Sequence, residues 1–220
     1  MYDRNTRLSK KMASLVKRKS DEEAVSPKKQ KVEIPHVIYV LDRSGSMTQY
    51  GEEGYGSIQA AIEELPNSRG GNCLLSVFSF DDTHEEIAKG VDAKGYVLPE
   101  ESIKPRGLTA LRDAISNALE YAGSLPSEQT KYVVVFTDGA DNRSTVSKES
   151  LKIMLKKSTV DITWLAAGGA KVTAATELGL EEKDVLKVGS RGQNMRDSMR
   201  FSSQKLTTGF TQAQRQASIQ

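Results

Sequence analysis

Short apolar runs rich in β-branched residues punctuate the chain. Val37-Ile38-Tyr39-Val40-Leu41 stops at Asp42; Leu74 to Phe80, Tyr132 to Phe136 and Ile162 to Ala167 repeat the pattern, and Val185 to Val188 is a shorter version. Apolar runs of this length without polar alternation predict strands buried on both faces. Between them, apolar residues take helical spacing. The sets are Ile58, Ala61, Ile62 and Leu65, then Leu111, Ile115, Leu119 and Ala122, then Leu151, Met154 and Leu155, with Ser147 and Ser150 as caps. Val172, Ala175 and Leu178 predict a short fourth helix, and Met195, Met199 and Leu206 a last one with Asn194 as its N-cap. Glu85 to Ala93 alternates weakly after Asp81-Asp82 and predicts an edge strand hairpinned to its predecessor. Strand alternating with helix predicts an α/β fold, an open and mostly parallel sheet covered on both faces. Ligands of such sheets bind outside the carboxyl ends of the strands, where the strand order reverses.

Both ends depart from this pattern. Residues 1–34 contain no aromatic residue after Tyr2 and are rich in Lys, Ser and Glu. So polar a stretch buries too little apolar surface to offset its ordering entropy, and a mostly disordered tail is expected, with a transient helix near residues 8–19. Residues 35–206 form the expected folded domain, and residues 207–220 a loosely held, Gln-rich tail with one aromatic residue, Phe210. The net charge of +2 over 220 residues conceals this division: residues 1–32 carry +6, residues 191–220 carry +4, and the 158 residues between carry −8. Lys17-Arg18-Lys19 and Lys28-Lys29-Gln30-Lys31, separated by eight residues, are similar to a bipartite nuclear localisation signal. They would equally suit nucleic-acid phosphates, although the lack of interleaved aromatic residues argues against base stacking. A solvated tail is the simplest reading. Ser26-Pro27 is a candidate phosphorylation site whose added negative charge would weaken the second cluster.

Several function classes are excluded by what is scarce. No window approaches 18 consecutive apolar residues, so no membrane partner is expected. The residues after Met1 lack an apolar signal-like core, and one cysteine, Cys73, leaves no disulfide framework. An intracellular setting, cytoplasm or nucleus, is the expectation. Two histidines, His36 and His84, leave little for His-based catalysis or zinc, and both are expected to be structural or on the surface. Cys73 and Trp164 are expected in the core, and Asp81 and Asp82 at a solvated strand end, with a place near the ligand-bearing edge as the alternative.

The candidate chemistry lies just beyond the strands. The first strand ends in Asp42-Arg43-Ser44-Gly45-Ser46, another in Thr137-Asp138-Gly139-Ala140-Asp141, and a third loop, Pro105-Arg106-Gly107-Leu108-Thr109, precedes a helix. The spacing of Asp42, Ser44 and Ser46 brings three oxygen side chains toward one point, with Gly45 permitting a sharp turn. Thr109 and Asp138 add two more if their loops share that edge. Five hard oxygen groups suit Mg²⁺, and also Mn²⁺ or Ca²⁺. Two carboxylates and three hydroxyls do not close six positions, so a carboxylate from a protein partner is a natural further ligand.

Taken together, Asp42-x-Ser44-x-Ser46, Thr109 and Asp138 in Thr-Asp-Gly closely resemble the metal-ion-dependent adhesion site of von Willebrand factor type A domains. The resemblance covers roughly residues 36–206. It implies a Rossmann-like, doubly wound, mostly parallel six-stranded sheet flanked by helices, with one antiparallel edge strand within Glu85 to Ala93. It also implies that Ser44 and Ser46 bind the metal directly, and that Asp42, Thr109 and Asp138 bind directly or through water. Leu108 stands where many members have a second glycine. In the family the last helix can slide and couple to the metal loop, and intracellular members serve as docking parts of larger assemblies. Asp141 and Gly45 are candidates for supporting the ligand loops.

Taken singly, each segment has a plain alternative: a polar turn at Ser44 and Ser46, a helix N-cap at Thr109, an ordinary turn at Asp138-Gly139. The leading functional expectation is a non-enzymatic module that binds a partner's Asp or Glu through Mg²⁺. The second is a Mg²⁺-dependent phosphoryl-transfer enzyme with Asp42 as acceptor. That chemistry calls for a second acidic residue two positions on, where this chain has Ser44, and both the phosphate-loop string and the G-x-S-x-G elbow are absent. The third is a nuclear or nucleic-acid-associated factor acting through its basic tail.

Overall fold

The computed structural model describes residues 34–204, apart from 70, 140, 169–171 and 190–191. The tail expectations, the basic clusters at residues 17–19 and 28–31, and Leu206 lie outside the described residues.

Strand β1, His36–Asp42, is buried along its whole length. A short 3-10 helix, Gly45–Tyr50, leads into α1, Gly51–Ser68. Then follow β2 (Leu74–Phe80), β3 (His84–Asp92), α2 (Leu111–Ser124), β4 (Lys131–Thr137) and α3 (Lys148–Lys157). The remaining elements are β5 (Asp161–Ala167), α4 (Val172–Glu177), β6 (Val185–Val188) and α5 (Gly192–Gln204). The six strands form one sheet in the order β3-β2-β1-β4-β5-β6. Only β3 runs antiparallel, hairpinned to β2 as its weak alternation predicted. The order reverses between β1 and β4, which pair in parallel from His36 with Lys131 to Leu41 with Phe136.

β1 shows why its run is uninterrupted. Val37, Tyr39 and Leu41 face one core with Ile58, Ile62 and Leu65 of α1 and Met195 and Met199 of α5. Ile38 and Val40 face the other, with Leu111, Ile115 and Leu119 of α2 and Leu151 of α3. With helices on both faces, every position of the strand between His36 and Asp42 is apolar. Trp164 and Cys73 are core residues as expected. His36 is also buried, its ring hydrogen-bonded to the Ser76 hydroxyl at 2.8 Å.

Ser147 caps α3 by accepting from the Ser150 amide at 3.0 Å. At α5 the N-cap expectation fails. The helix already runs from Gly192, so Asn194 lies inside it, and its carbonyl accepts from the Ser198 hydroxyl at 2.7 Å. A helix that starts two residues before the candidate places that side chain inside its first turn, with nothing to cap. Among the described residues, no helix is long and apolar enough to cross a membrane.

Candidate metal centre

Asp42 is the last residue of β1 and sits at the point where the sheet order reverses. It is 4% exposed, and both of its oxygens are held: Oδ1 accepts from the Ser44 amide at 2.8 Å, Oδ2 from the Thr137 hydroxyl at 2.6 Å. Thr137 ends β4, and its hydroxyl accepts in turn from the Gly139 amide at 3.0 Å. That second bond shapes the turn in which Asp138 lies. Burial pushes the Asp42 carboxyl above its ordinary range, the Thr137 and Ser44 hydrogen bonds oppose the shift, and the nearby Asp138 carboxylate adds to it. Burial, with Asp138 again nearby, also pushes the Tyr50 hydroxyl up to about 12.

Ser44 is buried and Ser46 exposed, with their hydroxyls 3.1 Å apart. Adjacent vertices of an octahedron with Mg–O distances of 2.0–2.1 Å stand about 2.9 Å apart, so this spacing fits two neighbouring Mg²⁺ ligands. Gly45 does not supply a left-handed turn, since its φ is not positive and the chain passes into the 3-10 helix there. A glycine that the edge does require is Gly107, at φ 67°, where an added Cβ would stand 2.5 Å from Asp82 Oδ1 and 3.2 Å from Asp81 Cβ.

Thr109 is buried, and backbone bonds fasten its loop to both neighbours. The Arg106 amide donates to the Arg43 carbonyl at 2.7 Å, and the Gly45 amide to the Gly107 carbonyl at 3.3 Å. On the other side, the Thr109 amide donates to Asn142 Oδ1 at 2.9 Å, and its carbonyl accepts from the Asn142 and Arg143 amides at 3.1 Å. Thr109 is not the N-cap of α2, because Ala110 holds that position. The first-turn amides of α2 are served from the β4 loop. Arg112 N donates to Asp141 Oδ2 and to Ser144 Oγ, each at 2.9 Å, so Asp141 does support this edge. In return, the Asp113 carboxylate accepts from the Thr145 and Val146 amides.

The sequence reading missed the ion pairs here, and its placement of Asp81 at a solvated strand end is corrected. Asp81 and Arg43 are 1% and 2% exposed and pair at 3.1 Å, while Arg106 Nε donates to the same Asp81 oxygen at 2.6 Å. Burial works to raise the Asp81 carboxyl, but Arg106, Thr83 and Arg43 outweigh it and hold the group well below the usual carboxylate range. A buried charge is tolerated only when paired, and here two guanidinium groups supply the pairing. The missed signal was Arg43, a second charged residue directly after Asp42 at the end of an apolar run.

The structure thus brings Asp42, Ser44 and Ser46 together and ties the loops carrying Thr109 and Asp138 to them. Among the described residues, no three His, Cys, Asp or Glu side chains gather to hold a metal. A cation at this edge would have two carboxylates and hydroxyls to bind, a hard-oxygen set suited to Mg²⁺, Mn²⁺ or Ca²⁺. Beside Asp42 opens a cavity of about 210 Å³ lined by Met47, Tyr50, Tyr55, Ile58 and Phe136.

Residues 37–140 match the family model of the von Willebrand factor type A domain. No curated protein matches the chain. Among solved structures, proximal thread matrix protein 1 from the mussel byssus is 15% identical, with 78% of this chain and 47% of that one covered and a TM-score of 0.60. This chain therefore spans about half the length of the mussel protein, which has also been solved with a zinc-occupied metal-ion-dependent adhesion site. A von Willebrand factor type A protein from Catenulispora acidiphila is 15% identical over 79% of this chain and 42% of that one, with a TM-score of 0.56. The SpRpn10 VWA domain is 12% identical over 79% and 99%, with a TM-score of 0.57. At these identities the likeness is one of fold. Sequence over residues 37–140 and fold over the wider chain both support the von Willebrand factor type A family.

Proposed function

We propose that this chain is a von Willebrand factor type A domain that docks a protein partner through a divalent cation. Such domains are generally interaction modules and not enzymes. Asp42, Ser44, Ser46, Thr109 and Asp138 hold the cation, with Mg²⁺ first in preference. The observation that carries this reading is the Ser44–Ser46 hydroxyl pair, 3.1 Å apart beside a buried Asp42 at the reversal of strand order.

Each Asp42 oxygen accepts one protein hydrogen bond and keeps a second lone pair, so this carboxylate is oriented to act on the cation directly or through water. A cation held largely by neutral hydroxyls keeps a strong residual charge. An Asp or Glu side chain from the partner completes its coordination. Asp42 as a phosphoryl acceptor is disfavoured by Ser44, which stands where that chemistry calls for a second acidic residue.

The test is calorimetric titration of Mg²⁺ and Mn²⁺ into the wild type and Thr109→Ala, then partner capture with and without EDTA. Metal binding lost in the variant, and partners released by EDTA, support the reading. Metal binding unchanged by the substitution removes Thr109 from the site, and partners indifferent to EDTA place recognition elsewhere. Intracellular placement and a working nuclear signal in Lys17, Arg18, Lys19, Lys28, Lys29 and Lys31 belong to the same proposal. A reporter fused to residues 1–35 that stays out of nuclei removes the signal.

A further inference from the structure

We infer that Arg106 is a positioning residue for the cation site: it clasps the Thr109 loop to the β2–β3 edge and so presets Thr109. The inference rests on the reading of the site given above. Arg106 lies three residues before Thr109 and bridges two carboxylates. Its Nε donates to Asp81 Oδ2 at 2.6 Å and its Nη2 to Glu85 Oε1 at 2.5 Å. Arg43, inside the Asp42–Ser46 loop, holds the same two acids, with Nε to Asp81 Oδ2 at 3.1 Å and Nη1 to Glu85 Oε2 at 2.8 Å. One pair of carboxylates thus fixes both ligand-bearing loops. Backbone bonds reinforce the clasp, since the Asp81 carbonyl accepts from the Ala110 amide at 2.7 Å and the Arg43 carbonyl from the Arg106 amide at 2.7 Å.

The geometry separates Arg106 from its partners in the cluster. Arg43 and Asp81 are buried, and removing either leaves the other with only part of its charge pairing in a buried site, which endangers the fold. Arg106 is 56% exposed and Arg43 remains to pair Asp81, so its removal endangers the fold less. The sign of the effect then discriminates. By Coulomb's law, taking a positive charge from beside a bound divalent cation strengthens metal binding. Loss of a clasp weakens it, as loss of supporting partners does at other metal sites.

Calorimetric titration of Mn²⁺ into the full chain compares wild type, Arg106→Ala, Arg106→Lys and Lys104→Ala. Lys104 serves as control, since it belongs to the same loop but, among the described residues, pairs with Glu101 and not with Asp81 or Glu85. Arg106→Ala is expected to raise the Mn²⁺ Kd about tenfold, with its metal-free unfolding temperature within about 2 °C of wild type. Arg106→Lys, which reaches one carboxylate at a time, is expected between the two, and Lys104→Ala at or below the wild-type Kd. Arg106→Ala binding Mn²⁺ as tightly as wild type, or more tightly, overturns the clasp and leaves the cation site standing. A wild type that binds no Mn²⁺ overturns the cation site and the clasp with it. Should Arg106→Ala not fold, Arg106→Gln, which keeps the side-chain stem, carries the same comparison.

Discussion

The Thr137 hydroxyl donates a 2.6 Å hydrogen bond to Asp42 Oδ2 across two neighbouring parallel strands, between residues 95 apart in the chain. Thr137 is fully buried, and Asp42 nearly so. The bond fixes one carboxylate oxygen at the reversal of the sheet and, through the Gly139 amide, the turn that carries Asp138. Thr137→Val keeps the shape and deletes the hydroxyl, so the carboxylate loses a donor and the Gly139 amide its acceptor. The expected loss is about 1–3 kcal/mol of unfolding free energy, measured by urea titration. A midpoint equal to wild type would show that water replaces the hydroxyl without loss.

Cation binding should appear as stability. A ligand that binds only the folded state adds about 2.7 kcal/mol at a hundred times its Kd. For a domain of this size that is an upward shift of about 5–10 °C in unfolding temperature. Wild type with saturating Mg²⁺ is expected to show the shift, and Asp42→Ala and Thr109→Ala are expected to lose it. Equal shifts in all three proteins would move the cation away from these residues.

Gly107 is constrained twice, by its φ of 67° and by the 2.5 Å separation between a would-be Cβ and Asp82 Oδ1. Gly107→Ala is expected to destabilise by about 1–3 kcal/mol and to weaken metal binding, because the loop must move off the Asp81 edge. Gly123→Ala is the control, since nothing lies within 4 Å of its Cβ position. Matching stability in the two variants would contradict the constraint.

Acid should loosen the clasp. Arg43 first, and then Arg106, bring the Glu85 carboxyl from 4.5 down to about 2, and Asp81 is also held low. A carboxyl whose folded pKa lies below its unfolded one contributes stability that is complete above the unfolded value. That stability is lost as pH falls through the folded value. For Glu85 the window runs from pH 4.5 to about 2. Asp42 has the opposite sign, because burial raises its carboxyl and the folded protein takes that proton first. Denaturant midpoints of wild type are expected to fall more steeply through this window than those of Arg106→Ala. Parallel curves would show that Arg106 adds nothing to the acid sensitivity.

Much of the fold was legible because its signals are local. Val37 to Leu41 and Tyr132 to Phe136 read as strands because helices cover both sheet faces, and such a position leaves no room for a polar residue. Glu85 to Ala93 read as an edge strand because one side of it is exposed, which writes an alternation into the residues. The candidate ligands were legible for a related reason. A loop leaving a strand places residues 42, 44 and 46 within one turn, and spacing alone records that.

What the sequence by itself determined, then, is the order of strands and helices and the three oxygen-bearing segments that follow them. Only the tertiary structure decided which groups support those segments. Asp81 read as solvated because nothing within several residues of it is basic, and its partners Arg43 and Arg106 lie 38 and 25 residues away. Ser144 and Asp141 serve the α2 amides from beyond the next strand, and Gly107, not Gly45, proved to be the glycine under constraint. The physical reason is common to all of these. Periodicity and propensity act over a few residues, whereas ion pairs and crossed caps exist only once parallel strands have brought their carboxyl ends to one edge.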